Sequence, residues 1–401
     1  MDNEKRYIKM RIRKAGVQSV LFYINRIFPI KKRKIVFTCI EGTTGYSCNP
    51  KYIAEKLIEQ NKKTKLDKQY ELVWLVNDIN KCFPNDITVY KNNLWNRAHQ
   101  LSTAHFWIDN SRKQLECRKR KGQIYIQTWH AKIGFKPTCL DRGESFSKIA
   151  YLVSKHDSEL VDEWLSNSEW YDKTLHNGSL YDGPTLRTGS PRCDILISGK
   201  EEARKKVREK YGISGNAKIL MYAPTFRGGS QSTDRKVEIG NYFPDYKQMK
   251  DNLEKRFGGN WYIMLRLHPQ IVARKMEYDY ADSYVIDVSK ADDMYAILAG
   301  CDAFMTDYSS AAFDAAVMRI PIFLYVPDYK LYVSERGSLL WDLKKLPFYM
   351  AENDNELNEK IMNYNEVEYQ KCLDTLFEKT GMVEDGHASE RVVKWINDNV
   401  K

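Results

Sequence analysis

From Lys34 onward, short apolar blocks of strand length alternate with longer segments of helical character, and the alternation runs through the chain twice. KIVFTCI (34–40), YELVWLV (70–76), ITVY (87–90), AHFWIDN (104–110) and KGQIYIQTWH (121–130) begin the first series. KIAYLVSK (148–155) and LRTGSPRCDIL (186–196) complete it. A charged helical segment, GKEEARKKVREKYG (199–212), intervenes, and AKILMYAPTF (217–226), WYIMLRLHP (261–269), YVIDVS (284–289), CDAFMTD (301–307) and IPIFLYVPD (320–328) restart the pattern. Near-continuous apolar runs joined by helix-length connections are the mark of parallel sheets, whose faces are both covered by crossover helices. A chain of 401 residues exceeds one comfortable core, so the restart predicts two doubly wound domains. The expected division is a basic segment at 1–33, domains at 34–196 and 197–389, and a closing helix at 390–401 placed to pack back on the first domain. Such sheets bind ligands outside the carboxyl ends of their strands, so a crevice between the domains is the expected site.

The formal charge of +10 is concentrated rather than spread. Residues 1–34 carry 11 Lys/Arg against 2 Asp/Glu, which leaves the rest nearly neutral. A nucleic-acid partner would need a basic stripe continuing onto the domains, so none is expected. Ile8, Ile12 and Ala15 recur at helical spacing among Lys5, Lys9 and Arg13. Val20, Ile24, Ile27 and Phe28 resume the pattern past Gly16, where the helix is expected to weaken. An amphipathic basic helix suits an anionic membrane surface, and the same period also serves a helix packed on the first domain. No run of 18 apolar residues occurs, so a peripheral position on the cytoplasmic face of the membrane is expected. The eight cysteines form no CxxC pair and no zinc spacing, which predicts mostly buried thiols rather than a disulfide framework or metal site. The absence of a P-loop and of GxGxxG argues against an ATPase or a dinucleotide dehydrogenase.

Polar groups close several of the apolar blocks. His130 ends QIYIQTWH, Arg227 follows KILMYAPTF, His268 ends WYIMLRLH, and Asp307 to Ser310 end AFMTDYSS. In AGCDAFMTDYSSAAFDAAV (299–317), Ser309 or Ser310 is expected to cap the next helix, and its hydroxyls and first N–H groups would suit an anion such as phosphate. Simple capping uses the same residues. Asp314, one turn on, is placed to meet a sugar hydroxyl or to offset the helix dipole. His130 fits a general base and His268 a donor to a phosphate oxygen, although a structural hydrogen bond would serve either ring. No clustered carboxylates suggest magnesium, so no metal is expected; isolated Asp307 keeps the alternative alive.

Together these residues resemble the CDP-glycerol glycerophosphotransferases, the teichoic acid primases and polymerases of Gram-positive bacteria, over nearly all of the chain beyond the basic arm. The resemblance rests on YSCNPKYI (46–53), QTWHAKIGFK (127–136), LRTGSPRCDIL (186–196), ILMYAPTFR (219–227), MLRLHP (264–269) and FMTDYSSAAFD (304–314), with YVPDYKLYVSERG (325–337) following. It implies a GT-B-like fold of two Rossmann-like domains facing a cleft, the first handling the acceptor and the second the nucleotide donor. His130 corresponds to the family base and His268 to the histidine that meets the donor phosphates. Ser309 and Ser310 correspond to the pyrophosphate-holding pair, with Asp314 near the ribose, Arg227 and Arg336 as phosphate contacts and Lys136 as an acceptor contact. Ala131-Lys132-Ile133-Gly134 departs from the Gly-Thr-Pro of many members, and Cys193 stands where Asn is common.

The reaction so implied moves glycerol phosphate or ribitol phosphate from CDP-glycerol or CDP-ribitol to a hydroxyl of a lipid-linked acceptor. CMP is released, no cofactor is required, and the product is a teichoic acid or capsule polymer. A GT-B glycosyltransferase using a nucleotide sugar is the alternative reading, and a nucleotide-binding subunit recruited by the basic arm is another.

Overall fold

The computed structural model describes residues 2–225, 243–267, 282–336 and 338–400. Seven strands form the first sheet: β1 (Lys31–Thr38), β2 (Glu71–Val76), β3 (Ile87–Lys91), β4 (Ala104–Asp109), β5 (Ile124–Gln127), β6 (Glu163–Ser166) and β7 (Thr185–Arg187). Their order is β3-β2-β1-β4-β5-β6-β7, and every pairing is parallel. The second sheet holds β8 (Lys218–Tyr222), β9 (Trp261–Leu265), β10 (Val285–Asp287), β11 (Ala303–Thr306), β12 (Ile322–Tyr325) and β13 (Tyr349–Ala351). It runs β10-β9-β8-β11-β12-β13, again parallel throughout. Each order reverses once, between β1 and β4 and between β8 and β11. The loops leaving those strand ends diverge, which opens a ligand position at each switch point.

The chain divides into two compact units, one of residues 1–132, 137–194 and 382–401, the other of 133–136 and 195–381. The apolar blocks explain the sheets directly. Ile35, Val36 and Phe37 of β1 are all fully buried, because neighbouring side chains point to opposite faces and helices cover both. One block behaves differently. KIAYLVSK is not a strand but the start of the helix Lys148–Leu160, which Ser147 opens by accepting a hydrogen bond from the Ala150 N–H. Its inward positions include Ser154 and Asp157, polar groups spaced for a helix rather than alternating across a pleat. The strand comes later, as the short β6, and β13 adds a sixth strand beyond the five expected in the second series.

The basic N-terminal segment is a continuous helix, α1 (Asp2–Ile24), and Gly16 does not interrupt it. Its apolar residues serve two sides. Ile8, Ala15 and Phe22 turn inward, and Phe22 joins a core with Ala98, Leu101 and Trp107 beside the helix α3 (Leu94–Thr103). Met10, Ile12, Val17, Val20, Ile24, Ile27 and Phe28 remain exposed, Ile27 at 77%. At the other terminus, the helix Ala388–Asp398 buries Val392, Val393 and Ile396 with Ile53 and Leu57 of α2 (Cys48–Lys62). Asp194 accepts from the N–H groups of Ala388 and Ser389, fixing the start of that helix.

Truncating the inward anchor tests this division of α1. Phe22→Ala should lower unfolding free energy by about 3 kcal/mol or more, as for other buried aromatic truncations, when followed by urea denaturation. Val17→Ser, on the exposed side, should stay within about 0.5 kcal/mol of the parent.

Candidate active site

The first switch point is tied together by side chains from both of its strands. Asn110, just after β4, accepts from the Ile40 N–H at 2.7 Å and donates to the Cys39 sulfur at 3.1 Å, so the exits of β1 and β4 are joined. Ser111 accepts from the Glu41 N–H at 2.8 Å and donates to Asp109. Beyond β5, the Thr128 N–H and hydroxyl both donate to the Asp109 carbonyl, and Asn49 of α2 donates to the carbonyls of Thr128 and Trp129. Trp129 takes a left-handed conformation, φ 46°, which is costly for a bulky residue and turns the chain sharply before His130.

That turn aims His130 Nδ1 at the Asn110 carbonyl, 2.8 Å away. A carbonyl can only accept, so Nδ1 carries the proton and Nε2 presents its lone pair. Burial lowers the His130 pKa to about 4, and the charges of Arg192, Arg112 and Lys132 push the same way, while the Asn110 bond partly opposes them. The ring is therefore neutral at pH 7 and can take a proton at Nε2. Below it lies a buried polar network. Asp109 pairs with Lys113 at 2.6 Å, and Asp157 accepts from the Lys113 N–H and the Tyr125 hydroxyl. Burial raises Asp157 to about 6.

The second switch point is built around Asp307. Its carboxylate accepts from the Thr225 N–H and hydroxyl and from the Tyr308 N–H, joining the exits of β8 and β11. Tyr308 is buried, stacks on Tyr332 at 3.7 Å and donates to Asp328. Ser309 and Ser310 follow at partly exposed positions, and the helix Ala311–Ala316 begins directly after them. Ser309 accepts from the Ala311 N–H at 3.3 Å, whereas the Ser310 hydroxyl caps no N–H of the helix. Asp314 is buried behind them, its carboxylate accepting from the Tyr295 hydroxyl at 2.5 Å.

Residues 133–136 pack in this second unit. Phe135 lies against Phe313 and Lys136 sits over the Tyr332 ring at 5.7 Å. Lys136 thus stands beside the Tyr308 stack that precedes the serines. Arg336 closes the helix Tyr329–Arg336, and Arg227 and His268 lie outside the described residues. Sequence reasoning gave no role to Asn49, Asn110, Arg112 or Arg192, although Asn49, Asn110 and Arg192 stand in quoted blocks. The available signal was an Asn directly ending an apolar strand. Among the described residues, no group of three or more His, Cys, Asp or Glu is placed to hold a metal ion.

Residues 20–398 match the family model for CDP-Glycerol:Poly(glycerophosphate) glycerophosphotransferase. The chain belongs to this family. A teichoic acid poly(glycerol phosphate) polymerase of Bacillus spizizenii is 26% identical over 96% of this chain and 98% of its own length. A protein of the same description from Staphylococcus epidermidis is 26% identical over 93% of this chain, which spans only 51% of that relative. The solved wall teichoic acid polymerase TagF is 24% identical and superposes with a TM-score of 0.79, covering 100% of this chain and 98% of its own. A TagF variant has also been solved after soaking with CDPG. The fold is GT-B-like, as the family resemblance implied.

The depressed His130 pKa has a thermodynamic consequence. On unfolding the ring returns to about 6.5, so between about pH 6.5 and 4 the unfolded chain binds a proton that the native ring refuses. This contribution to stability is present above pH 6.5 and is lost as pH falls through that window. His130→Gln should therefore give a shallower loss of stability from pH 7 to pH 5 than the parent shows, measured by urea unfolding at both pH values.

Proposed function

We propose that this chain transfers glycerol phosphate or ribitol phosphate from a CDP-activated donor to a hydroxyl at the end of a lipid-linked acceptor, releasing CMP. Family membership supports the reaction class. The observation that carries the base assignment is the Nδ1–H bond from His130 to the Asn110 carbonyl, which leaves Nε2 free to accept. The acceptor hydroxyl gives its proton to Nε2 as its oxygen attacks the phosphorus bearing the polyol. The bond from that phosphorus to the CMP oxygen breaks, and CMP leaves with the electron pair. A ring with a pKa of about 4 is a weak base on its own. Burial is the largest cause of that depression and the cations Arg192, Arg112 and Lys132 a smaller one, so in this reading donor phosphates beside those cations would relieve only the smaller part.

In this reading Ser309 and Ser310 hold the donor diphosphate, with His268, Arg227 and Arg336 meeting its charge as the bond breaks. Lys136 supplies a further cation to a substrate phosphate, its place over Tyr332 supporting a position near the serine turn. Asp314 stands behind the serines for the donor ribose or for the helix itself. No step is routed through a metal. Among the described residues no helix is long and apolar enough to cross a membrane. The exposed side of α1, with Val17, Val20 and Ile24 among Lys and Arg, together with Ile27 and Phe28 just after it, is the surface we assign to an anionic leaflet on the cytoplasmic side.

Nucleotide release decides the reaction. Purified protein given CDP-glycerol or CDP-ribitol with a lipid-linked acceptor should release CMP, whereas release of a nucleoside diphosphate from a nucleotide sugar would point to glycosyl transfer. His130→Ala should reduce CMP release by about 10²- to 10⁴-fold with donor binding retained. Undiminished turnover would remove His130 from the base role. Val20→Glu together with Ile24→Glu should lower the fraction bound to anionic liposomes while sparing a soluble acceptor analogue, and an unchanged bound fraction would reject α1 as the membrane surface.

A further inference from the structure

A buried amide holds the strained turn that precedes His130. Gln127 ends β5, where it is registered with Asp109 of β4 and Trp164 of β6, and its side chain is fully buried. A carboxamide so placed is costly unless its donors and its acceptor are met. Here they are met. Gln127 Oε1 accepts from the Trp129 N–H at 3.0 Å, and Nε2 donates to the Tyr125 hydroxyl at 2.8 Å, the Ser111 carbonyl at 3.1 Å and Asp157 Oδ2 at 3.3 Å.

These neighbours leave the amide one orientation. Tyr125 stands two residues before Gln127, on the same face of β5, and its hydroxyl donates to Asp157 Oδ1 at 3.0 Å, so toward Gln127 it presents a lone pair. The Ser111 carbonyl and the Asp157 carboxylate are acceptors too. The amino group therefore faces all three, and the amide oxygen is left for the Trp129 N–H. That bond completes a clamp on the peptide between Thr128 and Trp129. Asn49 donates to the Thr128 carbonyl of this peptide, Gln127 accepts from its N–H, and Asn49 also holds the next carbonyl, that of Trp129, at 2.6 Å. The left-handed φ of 46° at Trp129 is the rotation between these two pinned peptides, and strain of this kind persists only where neighbours over-determine it.

We propose that Gln127 is a positioning residue for the transfer: by accepting the Trp129 N–H it holds the turn that sets His130 Nδ1 against the Asn110 carbonyl, and so keeps Nε2 as the nitrogen open to the acceptor proton. Its effect on turnover rests on the reading of His130 as the base. Fully buried, Gln127 touches no substrate, so its loss acts on kcat through the ring and leaves donor affinity in place.

The test is nitrogen NMR on the full chain with isotope-labelled histidine rings, the His130 signals being assigned by their loss in His130→Gln, together with kcat and KM for CMP release. The parent ring should carry its proton on Nδ1. Gln127→Met, close in size but without the amide, should show a mixture of the two tautomers, with kcat down by about tenfold to a hundredfold and the donor KM within about twofold of the parent. Gln127→Glu keeps an oxygen for the Trp129 N–H, and burial beside Asp157 keeps the proton that lets its other oxygen donate, so it should restore the Nδ1–H tautomer and most of the lost kcat. A parent ring protonated at Nε2 overturns the proposal, and that reading stands even if Gln127→Met does not fold. So does a Gln127→Met protein with the parent's tautomer and kcat, one that changes KM alone, or a Gln127→Glu protein no better than Gln127→Met. A tautomer that shifts in Gln127→Met while His130→Ala releases CMP undiminished would instead sink the base reading and leave the hold of Gln127 on the ring standing.

Discussion

One carbonyl oxygen, that of Asn110, decides what His130 can do. By accepting the Nδ1 proton it fixes the tautomer, and Nε2 is then the only ring atom left to receive a proton. The carbonyl is where it is because Asn110 follows β4 at the switch point and its amide is locked to the exit of β1 through Ile40 and Cys39. The strained turn at Trp129 brings the ring to it. Remove any of these ties and the ring is still present, but its basic nitrogen no longer has an assigned direction.

Charge around the two switch points follows a common pattern. Carboxylates near the strand exits spend themselves on local donors: Asp109 on Lys113 and Ser111, Asp157 on Lys113 and Tyr125, Asp307 on Thr225 and Tyr308. A buried carboxylate that is paired or protonated projects little field, and beyond burial and the Asn110 bond the groups that act on His130 are the cations Arg192, Arg112 and Lys132. The result is a neutral imidazole in a positive setting, which suits the proposed reaction between a hydroxyl and an anionic diphosphate.

The apolar blocks made the parallel sheets legible because buried strands between crossover helices must be nearly continuous runs of large side chains. KIAYLVSK shows the limit: a block of eight apolar-rich residues reads the same in either period, and only the Ser147 cap and the inward Ser154 and Asp157 decide for the helix. In α1 the apolar residues were visible but their partition was not, since Ile8 and Ile12 look alike in sequence while only Ile8 meets the core. At the site, His130 and the serines stood out as polar residues ending apolar strands. Asn49 and Arg192 did not, because their roles depend on contacts with residues some 80 and 143 positions away.

The loop after His130 shows how a departure from the family pattern can be absorbed. Lys132 is buried and donates to the carbonyls of Thr128 and Leu165, so its cation is held by main-chain oxygens at the end of the strands. Ile133 and Phe135 are buried too, and the Phe135 carbonyl accepts from the Leu340 N–H. Between them, a Cβ added at Gly134 would come within 3.4 Å of the Ser310 Cβ, so a larger side chain there would press on one of the two serines. The altered letters Ala131-Lys132-Ile133-Gly134 therefore act chiefly through packing: they anchor the segment and keep the space beside Ser310 open. Variation at these positions should bear on the shape of the site around the serines, while the orientation of His130 remains in the hands of Asn110.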